Sequence, residues 1–221
     1  MIKLIAFDWN GTLLADTAAV LKAANTVFKS IDGRKITLKV LRETAAIPVS
    51  DSYVKLGYDL QMVLDKAETH ANIFHPNYEK LASKVRTRRG ARELLKYLKK
   101  KKIQAVIISN HTKKGVEAQL KRLNIEQYFD CFLANEDLSA SIKEKMKERK
   151  LFLYMKDKKI KNSECLIVGD SIEEIEVGKS LGIKSAVIKD GNYSTKRLKR
   201  AGPDYLIGNL KELINIIVSL S

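Results

Sequence analysis

The sequence has few of the residues that cross-link or interrupt a chain: two cysteines and three prolines in 221 residues. Cys131 and Cys165 lack metal-ligand spacing, which excludes a disulfide framework and a zinc site as organising features. Apolar runs such as 105–108 and 214–218 are far shorter than the roughly 20 residues that span a bilayer. The N-terminal segment lacks the features of a secretory signal, so we expect a cytoplasmic protein without a membrane anchor.

Aromatic residues are also scarce, at 7% of the chain, whereas basic residues are in excess. The 41 lysines and arginines against 26 acidic residues give a net charge of +15, and 31 of the 41 are lysine. Proteins that read nucleic acids rely on arginine for bidentate contacts and on aromatic rings for stacking. The composition therefore argues against nucleic acid as a partner. It favours a lysine-rich solvated surface, with a basic face that attracts anionic substrates as the alternative.

Apolar periodicity divides the chain into an early helical region and a longer alternating region. Residues 3–8 form a predicted strand. Four segments with helical spacing follow it, at 18–28, 38–46, 60–73 and 77–85. Predicted strands at 104–109, 131–134, 164–169, 184–188 and 205–207 then alternate with predicted helices at 89–101, 113–123 and 143–156. Strands joined by helices predict right-handed crossovers and a parallel sheet that is covered on both faces.

This order predicts an α/β protein: a doubly wound parallel sheet, or Rossmann-like core, with an inserted all-helical cap domain. The predicted core comprises residues 1–14 and 86–221, and the predicted cap comprises residues 15–85. Pro76 and the basic segment 86–90 mark the predicted exit from the cap. The chain is long enough for a core of about 150 residues and a smaller insert.

Polar side chains follow three of the predicted strands. Ligands of such sheets bind beyond the carboxyl ends of the strands, so we expect these side chains to converge there. Asp8 and Asp170 are carboxylates that suit Mg²⁺, which takes one or two carboxylates and keeps several waters. Thr12, Ser109 and Asn110 can donate hydrogen bonds to phosphate oxygens. A carboxylate such as Asp8 can also attack a phosphoryl group when a metal neutralises the charge.

Segments 8–13, 109–110 and 169–174 read DWNGTL, SN and GDSIEE. In order and spacing they resemble the motifs of the haloacid dehalogenase-like hydrolase superfamily. The position of the predicted cap resembles the helical-cap subgroup that includes phosphoglycolate phosphatases. The resemblance covers nearly the whole chain. It implies a magnesium-dependent phosphatase that acts on a small phosphorylated metabolite, with phosphoglycolate as the default substrate.

The resemblance also implies roles for individual residues. Asp8 would be the nucleophile that forms an aspartyl-phosphate, and Ser109 with Asn110 would bind the phosphoryl group. Asp170 would bind Mg²⁺ together with Asp8 and the main-chain carbonyl of Asn10.

The outer acid of the metal site would be Glu174, which would steady the metal-bound waters or a lysine. The family pattern has Asp at this position, and Glu173 or Glu176 are alternatives. One extra methylene is tolerated better in such an outer role than in direct metal ligation.

Asn10 departs from the phosphatase pattern, which has a second Asp there to protonate the leaving oxygen and activate water. Asn cannot transfer a proton, and a positioned acid or base contributes about 10²–10⁴-fold in rate. One alternative is therefore a weakly active or inactive module that binds a phosphorylated ligand. Phosphonatases are a lesser alternative, and their Schiff-base lysine would have Lys55 as its nearest candidate. A dehalogenase is the least favoured alternative, because dehalogenases carry Tyr at the position of Asn10.

The site lysine of the family normally precedes a Pro at the start of a helix, but residues 142–147 contain no Pro. Counting back from Asp170 favours Lys145, and counting forward from Asp130 favours Lys143. Lys147 is the third candidate. The sequence therefore predicts Lys145 or Lys143 as the phosphate-binding lysine and leaves the choice open. It predicts no oligomeric state.

Overall fold

A computed structural model describes residues 1–220 of the chain. Within these residues the centre of the fold is a six-stranded sheet in the order β3-β2-β1-β4-β5-β6. The strands are β1 (Leu4–Phe7), β2 (Gln104–Thr112), β3 (Cys131–Asn135), β4 (Cys165–Gly169), β5 (Lys184–Ile188) and β6 (Tyr205–Ile207). Every neighbouring pair is parallel, so the carboxyl ends of all the strands lie at one edge. The predicted doubly wound α/β sheet is confirmed.

Twelve α-helices occur in the described part of the chain. They are α1 (Thr17–Ile31), α2 (Leu38–Thr44), α3 (Val49–Lys55), α4 (Leu60–Asp65), α5 (Ala67–Ala82), α6 (Ala91–Lys100), α7 (Lys113–Leu123), α8 (Ala140–Lys143), α9 (Lys147–Asp157), α10 (Ile172–Leu181), α11 (Thr195–Ala201) and α12 (Glu212–Ser219). The first five lie between β1 and α6, and we call them the helical insert.

The central strand β1 is buried on both faces because its side chains alternate between two apolar clusters. Ile5 and Phe7 pack in the cluster that also contains residues of α6, α7 and α12. Leu4 and Ala6 pack in the cluster that contains residues of α9 and α10. A strand covered on both faces reads as a continuous apolar run, which is what residues 4–7 show.

The helical insert has an apolar cluster of its own. Phe28, Tyr53, Val63 and Ala71, from four of its helices, share this cluster with Ile142 of α8. The two connections to the core run side by side. The N–H of Ala15 donates to the carbonyl of Arg86 (3.0 Å), and that of Arg88 donates to the carbonyl of Leu13 (2.8 Å). The cap boundaries at 15 and 85 stay a prediction.

The helices inside the insert differ from the predicted ones. The predicted helices 60–73 and 77–85 are replaced by the short α4 and the longer α5, which runs through Pro76. Pro76 therefore does not mark the exit from the insert. A proline normally interrupts a helix, but buried residues before and after it, such as Ala71 and Tyr78, keep α5 packed. Helix α3, within a stretch that gave no helical prediction, adds buried Tyr53.

The predicted helix 143–156 is broken in the structure. Helix α8 ends at Lys143, residues 144–146 leave the helical path, and α9 begins at Lys147. The break determines which lysine reaches the sheet edge.

None of the helices in residues 1–220 is long and apolar enough to cross a membrane. The cytoplasmic location expected from the sequence stays a prediction.

Candidate active site

Two carboxylates lie directly beyond neighbouring central strands. Asp8 follows β1, and its N–H donates to the carbonyl of Val168 in β4 (2.8 Å), which ties the start of the loop to the sheet. Asp170 follows β4. Both side chains are buried and line one cavity of about 240 Å³ between the sheet edge and the helical insert. The predicted convergence of these carboxylates is present.

Lys147, the first residue of α9, is the basic group at this edge. Its Nζ lies 2.7 Å from Oδ1 of Asp8 and 3.3 Å from Oε2 of Glu173, and it also donates to Oε1 of Glu174. Its side chain is only 3% exposed. Thr12 donates from Oγ1 to the other oxygen of Asp8 (3.0 Å). Both oxygens of Asp8 are therefore held, and Thr12 contacts the carboxylate instead of lining the cavity.

The predicted site lysines have to be corrected. Lys143 and Lys145 are exposed, and Lys145 pairs with Glu176 on the surface (2.7 Å). Neither lines the cavity. The break between α8 and α9 puts Lys147 at the start of a new helix, which brings its side chain to Asp8. The sequence predicted one continuous helix over 143–156 and gave no sign of this break, and so it did not favour Lys147.

Glu174 lies at the start of α10, where it forms a capping box with Ser171. Its Oε2 accepts from the main-chain N–H (3.1 Å) and the Oγ (2.7 Å) of Ser171, while Oε1 accepts from Lys147. A Cβ at Gly169 would lie 2.2 Å from the Glu174 carboxyl, so this close approach requires glycine. The capping box positions Glu174 to hold Lys147.

Asn110 and Ser109 lie near the carboxyl end of β2. Asn110 donates from Nδ2 to Oε2 of Glu173 (2.6 Å), and its buried Oδ1 has no partner among the described residues. Ser109 is fully buried, and its Oγ accepts from the N–H of His111 (3.0 Å). Of these two predicted phosphate ligands, Asn110 lines the cavity and Ser109 does not.

The buried site carries more negative than positive charge. Asp8, Asp170, Glu173 and Glu174 face a single buried cation, Lys147. Burial raises the pKa of Asp8 to about 7, although Lys147 opposes that shift. Burial, with the charge of Asp8, raises the pKa of Asp170 well above its ordinary value. Burial disfavours the charge of Lys147, but Asp8 and Glu174 hold its pKa well above the ordinary value.

The surplus of carboxylates suits a divalent cation. No group of three or more His, Cys, Asp or Glu side chains in residues 1–220 is arranged to bind a metal. Mg²⁺ does not need one, because it commonly uses one or two carboxylates and retains waters. The carboxylate of Asp170 is held closely by its surroundings. Its Oδ2 accepts a hydrogen bond from the N–H of Asn192 (2.5 Å). Glycine is needed at positions 11 and 191, because a Cβ at either would lie 2.1 Å from that oxygen. Asp8 and Asp170 therefore suit Mg²⁺, and the main-chain carbonyl of Asn10, the third ligand that the resemblance implies, stays a prediction.

The side chain of Asn10 belongs to a different network. Its Nδ2 donates to Oδ2 of Asp16 (2.7 Å) and approaches the hydroxyl of Tyr78 (2.6 Å), which also donates to Asp16 (2.5 Å). Burial raises the pKa of Asp16. Neither partner of Asn10 was predicted from the sequence. Tyr78 comes from the distant helix α5, and Asp16 stands alone outside the motifs, so neither carries a local signal.

A second network lies beside the cavity. His111 binds Oε1 of Glu79 (2.6 Å), and Oε2 of Glu79 accepts from Gln119 (2.9 Å), whose own oxygen accepts from Trp9 (2.6 Å). The network links the segment after β1 to α5 and α7. His111 is buried but lines the cavity.

Comparison with known proteins gives the family. Residues 5–188 match the sequence model described as haloacid dehalogenase-like hydrolase. The chain is 24% identical to a pyrophosphatase PpaX of Halalkalibacterium halodurans over 98% of this chain and 97% of that protein. It is 26% identical to a phosphoglycolate phosphatase of Pseudomonas fluorescens, over 96% of this chain and 78% of that protein.

Solved structures give the same fold. A haloacid dehalogenase-like family hydrolase from Streptococcus pneumoniae superposes with a TM-score of 0.80 at 18% identity, covering 98% of both chains. A structure described as a predicted phosphatase from Clostridium acetobutylicum has a TM-score of 0.78 at 19% identity and covers 99% of both chains. The chain therefore belongs to the haloacid dehalogenase-like hydrolases, and it is a hydrolase whose matched relatives are named phosphatases and a pyrophosphatase.

Proposed function

We propose that the protein is a magnesium-dependent phosphoric monoester hydrolase that works through an aspartyl-phosphate on Asp8. The observation that carries this proposal is the position of Asp8. Its carboxylate lies at the base of the cavity, is held by Thr12 and Lys147, and shares the sheet edge with Asp170. A buried carboxylate that is fixed in direction and faces an open cavity is suited to attack a bound phosphate.

The residues divide the first half of the reaction between them. One oxygen of Asp8 forms a bond to phosphorus while the bond from phosphorus to the ester oxygen breaks. The ester oxygen leaves as the alcohol with a proton taken from solvent, because Asn10 cannot donate one. Lys147 and the amide of Asn110 stabilise negative charge on the phosphoryl oxygens. Asp8, Asp170 and the main-chain carbonyl of Asn10 would hold Mg²⁺, which when bound would supply positive charge that keeps Asp8 ionised and balances the phosphate.

The second half of the reaction restores Asp8. Water attacks the phosphorus of the aspartyl-phosphate, the bond to Asp8 breaks, inorganic phosphate leaves and one proton passes to solvent. Asn10 cannot accept that proton, since its side chain is an amide that is engaged with Asp16 and Tyr78. For an ester whose leaving group needs no proton, the aspartyl-phosphate is therefore long-lived, and turnover is limited by its hydrolysis.

A second candidate function is suggested by the same network. Because Asn10 is a neutral donor to Asp16, the group that usually transfers the proton is missing from the site. A protein of this kind can bind a phosphorylated ligand and turn it over poorly, as a sensor or regulatory module. The two functions differ in whether phosphate is released from esters whose leaving groups need little protonation.

The lesser alternative, a phosphonatase, requires a lysine that can reach the substrate. Lys55 is exposed and does not line the cavity, and Lys147 is the cavity's lysine among the described residues. Lys147 is occupied by three carboxylates. The geometry therefore favours ester hydrolysis over Schiff-base chemistry.

The substrate class we propose is a small phosphorylated metabolite. The cavity of about 240 Å³ is smaller than the roughly 300–1,000 Å³ of sites for drug-sized ligands. It therefore suits a phosphate with a leaving group of modest size. Phosphoglycolate and pyrophosphate, taken from the names of relatives, serve as reference substrates.

The test is release of phosphate from a panel of phosphorylated metabolites and 4-nitrophenyl phosphate, with and without Mg²⁺. We expect release that requires both Mg²⁺ and Asp8 and is lost in Asp8→Asn. The exposed Asp157→Asn is the matched control and should retain full activity. No release from any ester by the unaltered protein, with Mg²⁺ and a phosphate mimic still bound, would instead support the ligand-binding module.

A further inference from the structure

The cavity changes character with distance from Asp8. Beyond the carboxylates and Lys147, its wall is formed mainly by apolar and aromatic side chains from the helical insert and the nearby loops. These include Phe28, Ile36, Tyr53, Phe74, Ile142 and Tyr193. The phosphate end is charged, and the opposite end, which has to receive the leaving group, is apolar.

This apolar end lacks a cation among the described residues. Lys147, at the charged end, is the only lysine or arginine among residues 1–220 that lines the cavity, and three carboxylates already occupy it. Two arginines of neighbouring segments are bound to main-chain carbonyls instead. Arg42 donates to the carbonyls of Asp190 and Gly191, and Arg197 donates to those of Arg42 and Ala45. Neither lines the cavity.

The histidines of the insert do not replace a cation. His70 and His75 line the cavity, and the Nδ1 of each is buried without a partner among the described residues. Burial lowers the pKa of both imidazoles, with Lys66 adding to the effect at His70 and His111 at His75. They are therefore neutral near pH 7, and each offers one uncharged polar atom to a ligand.

We propose that the leaving group of the natural substrate is uncharged and largely apolar, of the size of a single ring or short branched chain, with room for one neutral polar atom beside His70 or His75. This rests on the proposed function. A second anionic group, such as the carboxylate of phosphoglycolate or the second phosphate of pyrophosphate, would be buried here without a partner, which is costly. The selectivity therefore differs from that named for the relatives.

The test uses three phosphate esters of benzylic alcohols, so that the same kind of bond between phosphorus and oxygen is broken in each. They are benzyl phosphate, 4-carbamoylbenzyl phosphate and 4-carboxybenzyl phosphate. The last two match in size and differ in charge. We expect kcat/KM for the carboxy ester to be about 100-fold below that for the carbamoyl ester. Equal or faster hydrolysis of the carboxy ester would overturn the proposal.

A positive charge introduced into the cavity wall provides a second test, in which the carboxy ester should gain instead of lose. Ser141 of α8 lines the cavity and is half-buried. We expect Ser141→Lys to raise kcat/KM for the carboxy ester about tenfold, because the new ammonium pairs with its carboxylate. Ser141→Gln, which adds length without charge, should leave the ratio of the two esters unchanged. A lysine variant that does not alter the ratio would count against the proposal.

The two proposals fail in different ways. Asp8-dependent hydrolysis of all three esters without a preference for the uncharged ones would refute the apolar leaving group and leave the phosphatase intact. Hydrolysis of none of the three, while 4-nitrophenyl phosphate still gives Asp8-dependent release of phosphate, would likewise refute the apolar leaving group alone. Release from none of the three esters and none from 4-nitrophenyl phosphate, in the presence of Mg²⁺, would refute the proposed function and with it the inference built on it.

Discussion

The two ends of the cavity are built on opposite physical principles. At the sheet edge, Lys147 forms ion pairs with three buried carboxylates, those of Asp8, Glu173 and Glu174, and the buried Asp170 lies beside them. At the insert, aromatic and aliphatic side chains line the wall, and the buried polar atoms of His70 and His75 have no partner among the described residues. Under the proposed function, the first end carries out the reaction at phosphorus and the second end selects the group that is attached to the phosphate.

The largest effect is expected from Lys147→Met. Lys147 is the only buried lysine or arginine in residues 1–220, and its removal leaves three carboxylates unneutralised, which opposes phosphate binding and the transition state. We expect kcat/KM to fall by about 10²–10³-fold. Steady-state kinetics with 4-nitrophenyl phosphate measure the loss.

Lys145→Met is the matched control in the same segment, because Lys145 pairs only with the exposed Glu176. It should retain activity within about twofold. If Lys145→Met were the damaging variant and Lys147→Met the silent one, the placement of the site lysine would be wrong.

Asn10→Asp sharpens the comparison at the charged end. The new carboxyl would be half-buried beside the buried Asp16, and two adjacent carboxyls share a proton. That proton can be given to the leaving oxygen, so turnover of a poor-leaving-group ester such as benzyl phosphate should rise by about 10²-fold.

The contrast with 4-nitrophenyl phosphate separates the two halves of the reaction. Its leaving group needs no proton, so the first step should be unchanged by Asn10→Asp. If hydrolysis of benzyl phosphate is not faster in the variant, another group already supplies the acid, and His111 is the group to examine next.

Asp170→Asn tests the metal and the surplus charge together. We expect the affinity for Mg²⁺ to fall by about 10–100-fold or more, measured by calorimetric titration. The variant should also be more stable than the unaltered protein when metal is absent, because burial, with the charge of Asp8, raises the pKa of Asp170.

The sign of the pH dependence follows from that raised pKa. Above about pH 4, Asp170 is ionised in the unfolded chain but still protonated in the folded protein. The free energy of unfolding of the unaltered protein therefore falls as pH rises above that value, whereas Asn at this position has no such dependence. The melting temperature of metal-free Asp170→Asn should exceed that of the unaltered protein by more at pH 8 than at pH 5. An advantage that shrinks with pH would contradict the assigned cause.

The smallest effect is expected at the apolar end. Leu41→Ala removes apolar surface from the cavity wall, so KM for benzyl phosphate should rise by about tenfold or less. Inhibition by inorganic phosphate should not change, because phosphate binds at the other end. A parallel loss of phosphate inhibition would show that the two ends do not act separately.

The sequence predicted the sheet well because its strands are short apolar runs that end in polar motifs. Residues 4–7 are buried on both sides, and so no alternation obscures them. The short helices of the insert were harder, since α5 continues through Pro76 and α3 lies where no helical periodicity was recognised. Packing between helices determines where these helices begin and end, and a local sequence pattern carries no information about that packing.

Within the site, the sequence could place together residues that follow central strands, but it could not place residues that arrive from elsewhere in the fold. Asp8 and Asp170 were expected together because both follow central strands. Lys147 was not favoured, because the break before α9 is set by tertiary contacts. Tyr78 reaches Asn10 from α5, 68 residues along the chain, and nothing near Asn10 in the sequence indicates it.

The most direct test of the account is a rapid-quench experiment with 4-nitrophenyl phosphate and Mg²⁺. Because Asn10 does not activate water, we expect a burst of 4-nitrophenol equal to the enzyme concentration, followed by slow turnover. Mass spectrometry of the acid-quenched protein should find one added phosphoryl group on the peptide that contains Asp8, and none in Asp8→Asn. Release of 4-nitrophenol without a burst and without a phosphorylated Asp8 peptide would contradict the assignment of Asp8 as the nucleophile.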